Sequence, residues 1–112
     1  MHQTNPDGSL IASFCDYCGK RWDPEGVDLM IEGHQGSLIC LNCLSAAYAS
    51  VVLHAAGEDL KGKLCTMCLE ERDQVQWASP VNEDKRICLR CIKQASTALE
   101  KDPESGWKRP RA

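Results

Sequence analysis

Apolar positions along this chain come in short runs separated by polar turns, and each run feeds into a helical stripe. Residues 28–32 form a strand-like run, Gly33-His34-Gln35-Gly36 supplies turn chemistry, and Ser37-Leu38-Ile39 returns, which predicts a β-hairpin. Beyond Cys40 the period changes. Leu44, Tyr48, Val51 and Ala55 fall at i, i+4, i+7 and i+11, the spacing of one face of a helix. The order then returns. Val75-Gln76-Trp77-Ala78 runs out, residues 80–84 turn, and Lys85-Arg86-Ile87 returns. Ile92, Ala95 and Leu99 mark a shorter helix that Pro103 limits. These patterns divide the chain into units at 13–57 and 64–102, a polar, glycine-containing linker at 58–63, and disordered tails at 1–12 and 103–112.

The two units are copies of one another. A shift of 50 places Cys15 and Cys18 on Cys65 and Cys68, and a shift of 48 places Cys40 and Cys43 on Cys88 and Cys91. The second shift also pairs Ile39 with Ile87, Leu41 with Leu89, Leu44 with Ile92 and Ala47 with Ala95. A tandem repeat of about fifty residues follows, each copy ordered as cysteine pair, hairpin, cysteine pair, helix.

Composition changes the picture in one respect. Leu, Ile, Val and Phe make up only about a fifth of the 112 residues, and aromatics are 5%, so burial alone gives a weak core. The 8 cysteines all lie in Cys-x-x-Cys pairs, spaced as C-x2-C-x21-C-x2-C and C-x2-C-x19-C-x2-C. Two cysteines two residues apart point at one ion when the backbone makes a tight knuckle. A second pair at the first turn of a helix completes a closed tetrahedron of thiolates. Two zinc ions are therefore expected, one on Cys15, Cys18, Cys40 and Cys43, the other on Cys65, Cys68, Cys88 and Cys91. A pairing across the repeats is formally open, but each repeat already holds a complete set.

Neither a basic start followed by an apolar stretch nor an apolar run near the ~18 residues of a membrane span is present. The expectation is a cytoplasmic chain whose cysteines bind metal rather than form disulfides. The formal charge of -3 becomes about -7 once two dications sit on eight thiolates, which disfavours general affinity for nucleic-acid backbone.

Knuckle, hairpin and helix, with ligands from the knuckle and the helix start, describe a treble-clef zinc finger, a small metal-stabilised α+β fold. Cys15-Asp16-Tyr17-Cys18-Gly19-Lys20, followed by Ile39-Cys40-Leu41-Asn42-Cys43-Leu44, resembles the C4-type zinc-binding domain of the ClpX unfoldase. The second repeat follows the same pattern with Leu69 where the first has Gly19. The resemblance implies two tandem treble clefs that dimerise and bind adaptors or unfolded substrates. The family's ATPase part does not carry over, since no Gly-x-x-x-x-Gly-Lys-Ser/Thr loop occurs. The function expected is protein–protein interaction, as an adaptor or regulator tied to protein quality control and without enzymatic activity. The chain would be a monomer with pseudo-dimeric halves or a homodimer, and its partner is a protein that the sequence does not identify.

Other residues weigh less. Tyr48 and Val52 are candidates for a partner-binding face, because a short hairpin offers little to cover their helix. Trp22 and Trp77 are placed over the metal–sulfur clusters. His34 is expected in an exposed turn. Trp107 with Lys108, Arg109 and Arg111 is expected in a solvated tail, and residues 70–73 and 82–85 in solvated turns. Rival functions are nucleic-acid binding by a transcriptional regulator, rubredoxin-like electron transfer with iron, and thiol–disulfide exchange. The first meets few positive charges on the helices. The second uses two knuckles rather than a knuckle and a helix start, and the third is usually built on a single pair.

Overall fold

The computed structural model describes residues 2–7, 9–22, 30–33, 36–54, 64–70, 75–82, 84–103 and 105–111. Among these, three two-stranded antiparallel ladders and two helices are present. Strands β1 (His2–Thr4) and β2 (Leu10–Ser13) pair first, then β3 (Met30–Glu32) with β4 (Leu38–Cys40), and β5 (Gln76–Ala78) with β6 (Arg86–Cys88). Helix α1 (Leu41–Tyr48) follows β4 without a break, and α2 (Leu89–Lys101) follows β6 in the same way.

The two later hairpins hold equivalent registers, Met30 opposite Cys40 and Gln76 opposite Cys88. Each hairpin therefore delivers a cysteine at the point where strand becomes helix. Cys40 and Cys88 are extended residues at the N-caps of α1 and α2. The sulfur of Cys40 accepts from the Cys43 amide at 3.4 Å, so a candidate ligand also satisfies one of the unpaired donors of the first turn. Asp102, which precedes Pro103, leaves the helical region at φ -88 and ψ 108 and ends α2.

The stripe predicted on the first helix changes geometry partway. Residues 49–53 form a π-helical turn, closed by a hydrogen bond from the His54 amide to the Ala49 carbonyl at 3.0 Å. Consecutive β-branched Val51 and Val52 pack poorly in a tight α-turn. The wider turn sets Val52 and Leu53 against the core beside buried Val51. Ala55 and the linker lie outside the described residues.

One core runs through both repeats. Cys15, Tyr17, Ile39, Leu44, Tyr48 and Val51 of the first join Met67, Ile87, Ile92 and Leu99 of the second, and α1 packs on α2. The ends of the chain differ from expectation. Where a disordered tail is expected over 1–12, the β1–β2 hairpin is built, its turn held by Asn5 N–H to the Ser9 carbonyl at 2.8 Å and by Ser9 N–H to the Asp7 carboxylate at 2.9 Å. Local side-chain hydrogen bonds of Asx-turn type supply what apolar periodicity does not. Trp107, expected in a solvated tail, is buried at 8% exposure.

Candidate metal centre

Each site begins with a turn. The Cys15 amide donates to the Lys20 carbonyl at 2.8 Å, and the Gly19 amide donates back to the Cys15 carbonyl at 2.9 Å. The second turn repeats this with Cys65 to Glu70 at 3.1 Å and Leu69 to Cys65 at 2.8 Å. Closing such a turn needs a left-handed residue at its fifth position, just after the second cysteine. Gly19 takes φ 78 there without steric cost, and Leu69 takes φ 57 against the clash of its Cβ. The two turns are the same despite the change of residue.

Each turn is then tied to its own hairpin. The Asp16 amide donates to the Leu38 carbonyl at 2.9 Å, and the Asp16 carboxylate accepts from the Leu38 amide at 2.7 Å. In the second repeat the Thr66 amide donates to the Arg86 carbonyl at 2.8 Å, and the Thr66 hydroxyl accepts from the Arg86 amide at 2.9 Å. These clamps bring the first cysteine of the turn beneath the helix start. The Cys40 amide meets the Cys15 sulfur at 3.4 Å, and the Cys88 amide meets the Cys65 sulfur at 3.4 Å.

The result is two groups of four sulfurs, Cys15/Cys18/Cys40/Cys43 and Cys65/Cys68/Cys88/Cys91, each with all sulfurs within 4.8 Å of one another. The sulfurs gather within each repeat and not across repeats. Separations include 3.8 Å for Cys15–Cys43, 3.7 Å for Cys18–Cys40, 3.8 Å for Cys65–Cys91 and 3.9 Å for Cys68–Cys88. A tetrahedral ion with metal–sulfur bonds of ~2.3 Å requires neighbouring ligands about 3.8 Å apart, so the donor set fits a thiolate-bound metal. The cysteines are free thiols, at separations nearly twice a disulfide bond length.

Electrostatics lead to the same need for a cation. Sulfur hydrogen bonds with Cys40 and Cys43 hold the Cys15 thiol far below the usual thiol range. Those same bonds push Cys40 up to about 11, and Cys43 well above it, because each neighbour keeps its proton to share with the first thiolate. Cys65, Cys88 and Cys91 repeat the arrangement, with Cys88 again pushed up to about 11. Four thiolates at this spacing coexist only around a cation that displaces their protons. All corners of each tetrahedron come from the chain, which suits a structural ion rather than one with an open coordination position.

The remaining candidates differ in burial. Trp77 lies against Tyr17 of the other repeat, ring centroids 5.9 Å apart, and Trp22 is half-buried. His54 is exposed, and His34 lies outside the described residues. Val52 is half-buried. Tyr48 has 6% exposure inside the joint core, so the helix face proposed for a partner is, at this residue, covered by the chain itself. Lys85 closes the 82–85 turn through its amide, which donates to the Asn82 carbonyl at 3.0 Å, and its side chain is 32% exposed. It pairs at 3.3 Å with Asp16, whose side chain is 6% exposed.

Sequence inspection missed the contacts between the repeats. The Tyr17 hydroxyl donates to the Arg86 carbonyl at 2.8 Å, and Ser79 Oγ donates to the Tyr17 carbonyl. At the equivalent point of the other half, Gly33 approaches Met67 so closely that a Cβ on it would sit 2.5 Å from the Met67 carbonyl oxygen. Each cysteine turn thus presses its third residue, Tyr17 or Met67, on the hairpin of the other repeat. A signal existed in the 50-residue shift, which makes Tyr17 and Met67 equivalents and large apolar residues both. No family model, curated protein or solved structure matches the chain.

Proposed function

We propose that this protein is a structural zinc protein whose two C4 sites are tandem treble clefs of the ClpX type, and that it acts as a protein–protein interaction module, an adaptor or regulator of protein quality control, in the cytoplasm. The observation that carries the reading is the closure of both sites: eight cysteines in two groups of four, each sulfur contributed by the chain. With no corner left for substrate, the ions support shape, and activity resides in the surface they hold together. Zinc is the metal favoured by all-thiolate tetrahedral donors, with iron as the competitor for the same geometry. Free thiolates call for a reducing compartment, and no helix among the described residues is long and apolar enough to cross a membrane.

The reciprocal contacts of Tyr17 and Met67 with the opposite hairpins support a second element of the proposal. Two copies related by an approximate two-fold meet through equivalent surfaces, as in an isologous dimer. The single chain reproduces internally a dimer of the kind the resemblance implies, and is a monomer.

Elemental analysis of protein purified without added metal tests the first part, with two zinc ions per chain expected and iron or a value near one counting against it. Capture of partners from the native cytoplasm, with Cys43→Ser as the control, tests the second. Partners retained equally by the variant would remove the metal-supported surface from the function.

A further inference from the structure

Residues 105–111, assigned by composition to solvent, lie across both helices. Trp107 is buried, and its indole Nε1 donates to Ser45 Oγ on α1 at 2.9 Å. Two residues on, the Arg109 guanidinium stands 5.6 Å from the centroid of the Tyr48 ring and pairs with Glu100 on α2. The chain reaches this position through Gly106 at φ 62, after the Ser105 hydroxyl has bonded the Asp102 carbonyl at 3.0 Å. An acceptor for an indole N–H, an aromatic face for a guanidinium and a carboxylate beside it are therefore presented together by helices of different repeats. A groove with that chemistry recognises Trp-x-Arg in any chain that can reach it.

The hold on the chain's own segment is concentrated at Trp107, which joins the shared core. Lys108 and Arg111 are exposed, and the Arg109–Glu100 pair is at the surface, where ion pairs contribute little. A cavity of about 300 Å3 there is lined mostly by the segment itself, together with Glu100 and Asp102 at the end of α2. One buried indole therefore supplies most of the burial that opposes the entropy of ordering the segment, so a chain offering the same side chain competes with it directly.

We infer that the α1–α2 groove is a docking site for a peptide of Trp-x-Arg chemistry, which residues 105–111 occupy in the free chain and which a partner's segment displaces. This rests on the interaction reading above and names the surface and the partner's chemistry. The tethered segment competes at high effective concentration, so weak ligands are excluded and a partner must add contacts of its own.

The test uses a fluorescent peptide of residues 103–112 and two full-length proteins, wild type and Trp107→Ala, compared by anisotropy with zinc content and far-UV circular dichroism measured alongside. The peptide should bind the Trp107→Ala chain at least tenfold more tightly than wild type. A peptide carrying alanine in place of its tryptophan should not bind, and Ser45→Ala added to the variant should weaken binding severalfold. Wild-type chains that self-associate at high concentration and are separated by the peptide would support the same groove, with a second copy as the partner. Equal affinity for both proteins, or none for a Trp107→Ala chain with zinc and helix intact, overturns the inference. If Trp107→Ala loses zinc, Arg109→Ala decides: a severalfold gain in peptide affinity supports displacement, and no gain overturns it. Failure here with native partner capture intact removes this groove and leaves the interaction reading standing on another surface.

Discussion

Leu69 and Gly19 do the same task in equivalent turns, and only the glycine does it without a steric penalty. Leu69 at φ 57 pays for its Cβ in the left-handed region, and at 38% exposure it recovers only part of that through burial. A left-handed non-glycine residue costs about 1–2 kcal/mol, while glycine loses roughly 0.5–1 kcal/mol more entropy on folding. Leu69→Gly should therefore stabilise the protein by about 0.5–1 kcal/mol, measured as a rise in chemical denaturation midpoint at unchanged slope. A lowered midpoint would mean that the leucine side chain contributes more in the fold than its exposure indicates. Gly33→Ala should act in the opposite sense. Its Cβ would meet the Met67 carbonyl oxygen at 2.5 Å and the Met67 Cα at 2.9 Å, both backbone atoms that cannot swing away. Forcing the repeats apart there should cost about 1–3 kcal/mol, the range for overpacking, with both metals still bound. An unchanged midpoint would show the interface to be looser than described.

At the scale of elements, neither helix stands by itself. α1 has 8 residues and α2 has 13, and isolated helices shorter than ~12–15 residues are marginal in water. Both begin on a cysteine of a four-sulfur group, so an ion bound there would fix the backbone at the step where nucleation is unfavourable. Removing the metal with a strong chelator at neutral pH should abolish most of the far-UV helical signal, and returning zinc should restore it. Retention of the signal in the chelated protein would show a core able to hold the helices unaided. Protons compete for the same sulfurs. Cys40 and Cys88 are pushed up to about 11 by their neighbours and keep their protons through neutrality, so metal binding displaces protons and metal affinity rises with pH. Acidification below neutrality should release metal and helical signal together, followed with a chromophoric zinc indicator. Release of metal that leaves the helices folded would separate the two.

At the scale of the whole molecule, the joint core decides how the halves fail. Two fingers on a flexible linker would melt independently, and Cys43→Ser would unfold one and spare the other. Here Tyr17 bonds to Arg86, Asp16 to Lys85, Trp107 to Ser45, and apolar residues of both repeats share one cluster. Loss of the first site should expose the surface on which the second is packed. Cys43→Ser should therefore collapse amide dispersion in both repeats, in a single thermal transition shifted downward. Two resolved transitions, with the second repeat keeping its dispersion, would show that the contacts between halves are weak compared with the metal sites.

The cysteine grouping was legible because it is local in character. Spacing of two residues defines a turn, the change from alternating to helical period places Cys40 and Cys88 at strand–helix junctions, and the repeat copies the set. The hairpins at 30–40 and 76–88 followed for the same reason, since their turns and apolar runs are short-range features. What tertiary structure decided was the occupant of each apolar face. The Tyr17–Ser79 and Trp107–Ser45 contacts each join residues 62 positions apart, and no periodicity records such a meeting. Tyr48 illustrates the difference. Its place on an apolar stripe is a property of the helix, whereas whether that stripe meets water, a partner or the chain's own tryptophan and arginine depends on where distant segments come to rest. The basic tail was assigned to solvent for its charge. One indole with a hydrogen-bond partner on α1 outweighs that charge, because Arg109 finds Glu100 and the Tyr48 ring at the surface and leaves no cation buried.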